Sequence, residues 1–378
     1  MSIITFGEED AKILSWVAAG AENSDPGAVL IIDIDSSGTA RISTNTAAFI
    51  RQMEVSVDDA TDEKVAIRAK TLSSVASKVE EGMNLSITTN GDKVVASCGA
   101  TSLSLTNLYD HVMDITRHLD RTKVASLTAG AFVTALAKAG TASAKGDVNV
   151  SFDNDGLVTV GARNGAIHTQ ELYPATIHEE DMEPSRILGS HVKPLKPLAK
   201  IEAVTDLDIS LGHGYIIFGF PVSSAEANTK SVSMSTPTVV SGSPAENSPC
   251  DEDISPVLVI DRTMLKNALD PLSGAVPGDA IVTLDSSQVG RVTVSVSSDE
   301  GTGKTTILEA EVDQKKKINV TLGNVQTALK SISESEIQIG EVELDGQSWM
   351  TVTPVDQDSD DEDEDYTDGD IVIALLCD

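Results

Sequence analysis

Aromatic residues make up only 3% of this 378-residue chain. Its cores must therefore be packed by Val, Ile, Leu and Ala, which favours sheets covered by short helices over large aromatic-lined pockets. Cysteine is scarce: Cys98, Cys250 and Cys377 are odd in number and none lie in CxxC spacing, which argues against a disulfide framework and for a reduced, intracellular compartment. The six His are scattered, so neither a Ser-His-Asp triad nor a His metal pair has support. No apolar stretch approaches the roughly 18 residues of a membrane span. Met1–Asp10 has neither the basic start nor the apolar run of a signal peptide, and the expectation is a cytoplasmic protein. Basic residues are outnumbered 27 to 59, for a net charge of −32. As an average this argues against nucleic acid, because neutralising phosphates takes Lys and Arg. The average hides a distribution, however. Ten acids crowd between Asp356 and Asp370, while several segments of helical spacing carry Lys with no acid beside it.

What the chain does have is a unit used six times: a strand, an amphipathic helix, then alternating strands, with about 60 residues per copy. The helical segments start near Glu8, Lys70, Thr128, Lys193, Arg262 and Leu322. Their apolar stripes include Ile13, Leu14 and Val17; Leu72, Val75 and Val79; Phe132, Val133 and Leu136; Leu195, Leu198 and Ile201; Leu265, Leu269 and Leu272; and Leu322, Val325 and Leu329. After each helix the period switches to two, as in Asp147–Phe152, Asp206–Leu211 and Ile337–Val342. One such unit cannot bury its own apolar face, so neighbours must share a core. Six units pair into three domains: 1–121, 122–253 and 254–378.

Local signals refine this plan. Glu81-Gly82 should end the second helix, and Asn90-Gly91-Asp92 reads as a hairpin turn. Pro194 and Pro197 must fall in the first turn of the fourth helix, since interior proline breaks a helix. The Ser/Pro-rich stretch at about 223–253 reads as a linker with room for one edge strand near Ser231–Met234. Residues 356–370 read as a solvated acidic loop before a last buried strand, Ile371–Leu376.

Motifs for catalysis are weak. Gly301-Thr-Gly-Lys-Thr-Thr resembles part of a phosphate loop, but Ser298 stands where the motif needs Gly, and a strand, not a helix, follows. His178-Glu-Glu-Asp-Met-Glu lacks the second His of a zinc-protease helix. The acidic run lacks the spaced ligands and Gly of a calcium loop. Neither a cofactor nor a metal is expected, and the chain reads as a non-enzyme.

Three tandem domains of paired half-units resemble the bacterial-type DNA polymerase sliding clamp family (the polymerase III beta subunit). The closest local likeness is Leu72–Gly82, then Leu85-Ser-Ile, then Val94–Leu105, similar to the family's helix, strand and "SGxSxFxL" run, with Leu103 in place of the usual Phe. Ile318–Leu329, Met350–Pro354 and the hydrophobic C-terminal strand are similar too. The resemblance implies an α+β DNA clamp fold: two copies closing head to tail as a homodimer, sheets outside and helices lining a ring around double-stranded DNA. The helix faces away from the stripes carry Lys12, Lys70, Lys78, Lys138, Lys193, Lys196, Lys200, Lys266 and Lys330, which would face the phosphates without reading sequence. Lys193, Lys196 and Lys200 are expected on one helix face at i, i+3 and i+7. Any one of these read alone is an ordinary solvated helix residue.

The resemblance also implies a hydrophobic pocket for short peptide motifs of DNA polymerase and clamp loader. By position it would use Ala162, Gly165, Ile167, Val372, Ile373, Ala374, Leu375 and Leu376. The family commonly ends Met-Pro-Met-Arg-Leu, whereas this chain reads Ala374-Leu-Leu-Cys-Asp, so either the pocket's specificity is altered or these residues are a plain core strand. The departures fit a phage or mobile-element origin. The rival reading is an acidic, β-rich repeat protein with a structural or interaction role, which the regular helix after each first strand disfavours.

Overall fold

The computed structural model describes residues 2–22, 28–46, 48–90, 93–109, 121–142, 146–164, 166–212, 214–224, 227–239, 248–250, 252–272, 276–297, 304–332, 334–355 and 371–377. The expected turn at 91–92, most of the 109–121 link and the acidic run 356–370 lie outside them.

The elements fall into three successive groups. The first holds β1 (Ser2–Phe6), α1 (Glu8–Glu22), β2 (Val29–Asp35), β3 (Thr39–Asn45), β4 (Ile50–Ser56), β5 (Glu63–Arg68), α2 (Ala69–Ala76), β6 (Leu85–Asn90), β7 (Lys93–Cys98) and β8 (Thr101–Thr106). The second holds β9 (Arg121–Thr128), α3 (Ala129–Ala142), β10 (Asp147–Phe152), β11 (Leu157–Asn164), β12 (Ile167–Pro174), β13 (Thr176–Ile177), β14 (Ser185–Leu188), α4 (Gly189–Val192), β15 (Asp206–Gly212), β16 (Tyr215–Pro221) and β17 (Thr229–Pro237). The third holds β18 (Ser255–Asp261), α5 (Arg262–Leu269), β19 (Ile281–Gln288), β20 (Arg291–Ser297), β21 (Lys304–Glu309), β22 (Glu311–Val312), β23 (Lys317–Thr321), α6 (Leu322–Ser331), β24 (Glu336–Leu344), β25 (Gln347–Pro354) and β26 (Ile371–Leu376). A strand runs directly into each helix, as the sixfold pattern predicts.

Strand periodicity does the packing. β1 alternates Ile4 and Phe6 inward, and β4 does the same with Met53 and Val55. Ile13, Leu14 and Val17 of α1, Phe132, Val133 and Leu136 of α3, and Leu322, Val325 and Leu329 of α6 are buried, so the apolar stripes face the sheets. Burying one such side chain contributes on the order of 2 kcal/mol. One continuous core joins the first two groups, and a second fills the third group and takes in Ile167 of β12.

The groups are fused by their sheets. Two four-stranded sheets, β1-β6-β7-β8 and β21-β20-β19-β23, belong to the first and third groups respectively. Between them run two nine-stranded sheets, β13-β9-β15-β16-β17-β4-β3-β2-β5 and β14-β10-β11-β12-β26-β25-β24-β18-β22. The seams are β17 against β4, and β12 against β26.

Three local expectations change. Instead of edging a linker, β17 is paired on both sides, with β16 and β4, because its alternating Val232 and Met234 are buried between Phe220, Phe218 and Met53. α2 stops at Ala76 rather than Glu81: the hydroxyls of Ser74 and Ser77 donate to the carbonyls of Thr71 and Ser74, and local serine bonds of this kind compete with a helix. Gly82 then serves a turn, at φ +78°. The fourth helix is only the single turn α4, followed by 3-10 turns at Lys193–Leu195 and Leu198–Lys200. Pro194 and Pro197 lack the amides an α-helix would need there.

Polar ties lock the seam between the first two groups. Asp10 of α1 is buried and accepts from the amides of Asn228 (3.0 Å) and Thr229 (2.9 Å), the Thr229 hydroxyl (2.5 Å) and the Gly7 amide (3.2 Å). Trp16 Nε1 donates to the Pro194 carbonyl at 2.6 Å. Arg51 lays its guanidinium 4.6 Å from the Trp16 ring centroid and donates to the Trp16 carbonyl at 2.5 Å. Desolvation pushes the Arg51 pKa down to about 10, so it stays charged at neutral pH. His191 and Thr236 meet at 3.0 Å, and the Thr236 hydroxyl donates to the Ala48 carbonyl.

Candidate nucleic-acid interface

Charge is segregated by secondary structure. In a chain with 59 acids, α2, α3, α4, α5, α6 and the 3-10 turns at 193–195 and 198–200 contain no Asp or Glu. Of the α-helices only α1 is acidic, with Glu8, Glu9 and Asp10 in its first turn, and the 3-10 turn Asp270–Leu272 after α5 opens with Asp270. On the strands, by contrast, base meets acid: Lys64 with Asp33 (3.0 Å), Arg41 with Glu54 (3.1 Å), Lys123 with Asp208 (2.8 Å) and Lys317 with Asp285 (3.0 Å), and just before β23 Lys316 pairs with Glu341 of β24. Exposed pairs of this kind add little stability, but they cancel local charge.

The nine expected lysines do not form one class. Lys70, Lys78, Lys193, Lys196, Lys200 and Lys330 are exposed and Lys266 is half-buried, and none of the seven has an ion pair among the described residues. Lys12 is paired at 2.6 Å with Glu8, whose hydrogen bond raises the lysine's pKa. Lys138 spans a seam instead: its Nζ donates at 3.0 Å to the Ser331 carbonyl at the end of α6. Close by, Glu171 is buried and accepts from the Tyr173 hydroxyl at 2.6 Å. Burial pushes the Glu171 pKa up, with the Tyr173 bond and Lys138 opposing it. Lys193 and Lys200 lie on the two 3-10 turns and Lys196 caps the first of them, so the three do not share one α-helix face.

The expected peptide-pocket residues gather at the other seam. Ile167 pairs with Leu375 and His168 with Ala374. β26 is interior, with β25 on its other side. Ile373 and Leu375 are fully buried in the core of the third group. Ala374 is fully buried on the opposite face with Cys250, Val342 and Trp349, and the half-buried Val372 and Leu376 flank it. Ala162 is buried in β11, and Gly165 lies outside the described residues. Any surface for a partner here is made by Val372 and Leu376, not by the strand's buried face. Reading the sequence missed Cys250, Ile254 and Trp349, which pack over this face from distant positions.

Two long sheet edges are paired on one side only among the described residues, β8 and β21. Other edges are short or bridged: β1 by Asp58, β23 by Cys377, β5 by Asn107 and Leu108, and β14 by Val239. The open edges carry exposed apolar side chains, Leu103 at 37% and Ile307 at 55%, and Met264 of the adjoining α5 is 42% exposed. β8, Thr-Ser-Leu-Ser-Leu-Thr, has no charge. An uncharged, partly apolar open edge is a template for pairing with another strand. Among the described residues no three His, Cys, Asp or Glu side chains converge as a metal cluster, and no helix is long and apolar enough to cross a membrane.

Three strand groups, each with two helices, joined by composite sheets, make the DNA clamp fold, the architecture of sliding clamps. Solved structures agree over the full chain. A DnaN sliding clamp (DNA polymerase III subunit beta) from Pseudomonas aeruginosa bound to griselimycin superposes with a TM-score of 0.76 at 14% identity, covering 100% of this chain and 99% of that one. The Caulobacter crescentus pol III beta superposes with a TM-score of 0.77 at 14% identity, again covering 100% and 99%. No family model and no curated protein matches the sequence.

Proposed function

We propose that the chain is a sliding clamp: a non-catalytic processivity factor that encircles duplex DNA and tethers a replicative polymerase. The observation that carries this is the charge segregation. An acidic chain keeps five of its six helices free of acid, in a fold whose solved examples are sliding clamps. Exposed lysines on those helices (Lys70, Lys330) and in the turns that follow them (Lys78, Lys193, Lys196, Lys200) attract phosphates without reading bases, while the acidic exterior repels DNA elsewhere. Three domains, 1–121, 122–253 and 254–378, would place six in a ring of two copies. β8 of each copy would pair with β21 of the other in a closed head-to-tail dimer. Tethering raises the polymerase's effective concentration at the primer end, so the clamp needs no catalytic group and no cofactor. Polymerase and clamp loader would dock by short peptides beside Val372 and Leu376, in the cytoplasm of a bacterial cell or a phage-infected host.

Light scattering behind a sizing column tests the ring first. The expected mass is twice 39.6 kDa. A dimer is then loaded on nicked circular DNA, and linearising the circle should release it. A strict monomer at all concentrations, or equal retention on linear and circular DNA, refutes the encircling reading and favours an acidic interaction protein.

A further inference from the structure

Basic side chains are spread unevenly over the helical surface. α1 opposes any polyanion with Glu8 and Glu9, and its Lys12 is held by Glu8. Lys138 is spent on the Ser331 carbonyl. In contrast, the sequence from Pro184 to Ile201 contains no acid and places Lys193, Lys196 and Lys200, all exposed, within eight consecutive residues.

The backbone that carries them is unusually constrained. Lys196 caps the first turn in αR geometry, its amide donating to the Lys193 carbonyl at 3.2 Å, and residues at this i, i+3 spacing of a 3-10 turn eclipse, so Lys193 and Lys196 leave the chain on one side. Leu195 and Leu198 anchor the turns in the core. The Pro194 carbonyl, inside the first turn, is held by Trp16 Nε1 at 2.6 Å. Trp16 is only 5% exposed and belongs to α1, in the preceding group of elements. Arg51 fixes it from above the ring and through its carbonyl. The basic turn is therefore set by a side chain from outside its own group.

We propose that Lys193, Lys196 and Lys200 form the dominant phosphate grip of this protein, and that Trp16 is the positioning residue that fixes the grip through the Pro194 carbonyl. The inference rests on the clamp reading and adds to it an uneven lining: one strong contact per copy in place of a uniform sleeve.

The test is binding of a fluorescein-labelled duplex to the full-length protein across a KCl series. Lys193→Ala/Lys196→Ala/Lys200→Ala should lower the slope of log K against log[salt] by about 2 to 3, at about 0.9 per lost phosphate contact. The control triple Lys70→Ala/Lys78→Ala/Lys330→Ala should lower it by less than about 1. Equal losses in the two triples overturn the grip and leave the clamp reading standing. A wild-type protein that neither binds the duplex nor is retained on circles overturns both. Acetylation footprinting of wild-type protein, with and without duplex, checks the same point without a variant: Lys193, Lys196 and Lys200 should be protected most, and even protection refutes the grip.

For Trp16, the variant is Trp16→Phe, which keeps a ring under Arg51 and removes the N–H. Affinity should fall several-fold with the dimer mass unchanged, and the loss should vanish when Trp16→Phe is made in the Lys193/Lys196/Lys200 triple variant. A loss that persists in that background assigns Trp16 a general structural role and refutes the positioning role, as does unchanged affinity.

Discussion

Asp10 is the side chain whose removal should cost the most for its size. Its carboxylate is buried and accepts from the Asn228 and Thr229 amides, the Thr229 hydroxyl and the Gly7 amide. Asp10→Ala leaves two backbone amides and a hydroxyl at a seam with no acceptor. A buried donor left unpaired costs about 1–3 kcal/mol. Gly7 lies at the helix start and is nearer to water, so the sum for the variant is about 2–5 kcal/mol. Asp10→Asn keeps one carbonyl oxygen for Thr229 but turns an NH2 toward the other donors, and should cost about 1–2 kcal/mol. Thr229→Val removes one donor and nothing else, at about 1 kcal/mol. Urea unfolding followed by tryptophan emission is the assay, since Trp16 sits on the same helix. A chain of several domains need not unfold in one step, so the first transition is compared. The expected order of midpoints is wild type, Thr229→Val, Asp10→Asn, Asp10→Ala. An Asp10→Ala midpoint equal to wild type, or one above that of Asp10→Asn, would refute the reasoning.

Other expectations follow from the same contacts. Burial raises the Glu171 pKa, so the native state holds its proton to higher pH than the unfolded chain, whose value is about 4.3. Stability from this group is present below about 4.3 and is lost as pH rises through the native pKa; Glu171→Gln, still able to accept from Tyr173, should flatten that part of a stability–pH curve, and an unchanged slope counts against it. His191 is shifted the other way by desolvation, so its contribution is present above about 6.5 and is lost as pH falls through the depressed native pKa. His191→Gln should reduce acid sensitivity between pH 7 and 5 (about the range where unperturbed His titrates), measured by thermal melting. At Gly140 a Cβ would overlap the Gly189 carbonyl oxygen and Val192, so Gly140→Ala should lower the melting temperature by several degrees; a neutral result means α3 and α4 can part without cost. In the head-to-tail dimer proposed above, Ile307→Asp or Leu103→Asp should give a monomer by light scattering without altering circular dichroism, and a persisting dimer would place the contact elsewhere.

The repeats were legible because their signals are local. A stripe such as Phe132, Val133 and Leu136 needs only the helical period, and β1 or β6 only the alternation. β17 was harder to read: its Ser and Thr look like linker composition, and only the partner strand β4, far away in sequence, makes Val232 and Met234 core residues. The fourth helix gave a warning in Pro194 and Pro197, and the structure resolves it as 3-10 turns rather than a late start. Asp10, Trp16 and Arg51 give no sequence signal at all, because each acts through a partner in another part of the chain. For the candidate site, the lysines were visible as residues without acids nearby. That Lys12 and Lys138 are committed to Glu8 and Ser331 depends on side-chain geometry, which spacing cannot supply. The open edges of β8 and β21 belong to the same class, since an edge is defined by what fails to pair with it.

β26 has a consequence for how the molecule is made. It is the central piece that joins β12 to β25, yet it follows both of them in the chain. Until Ile371–Leu376 has emerged, two long sheet edges and the apolar residues above them face the cell without a cover. The nascent chain is therefore at its most adhesive when the earlier strands of the second and third groups have formed but are not yet bolted together. Its survival at that moment depends on how quickly six residues find a slot between two waiting strands.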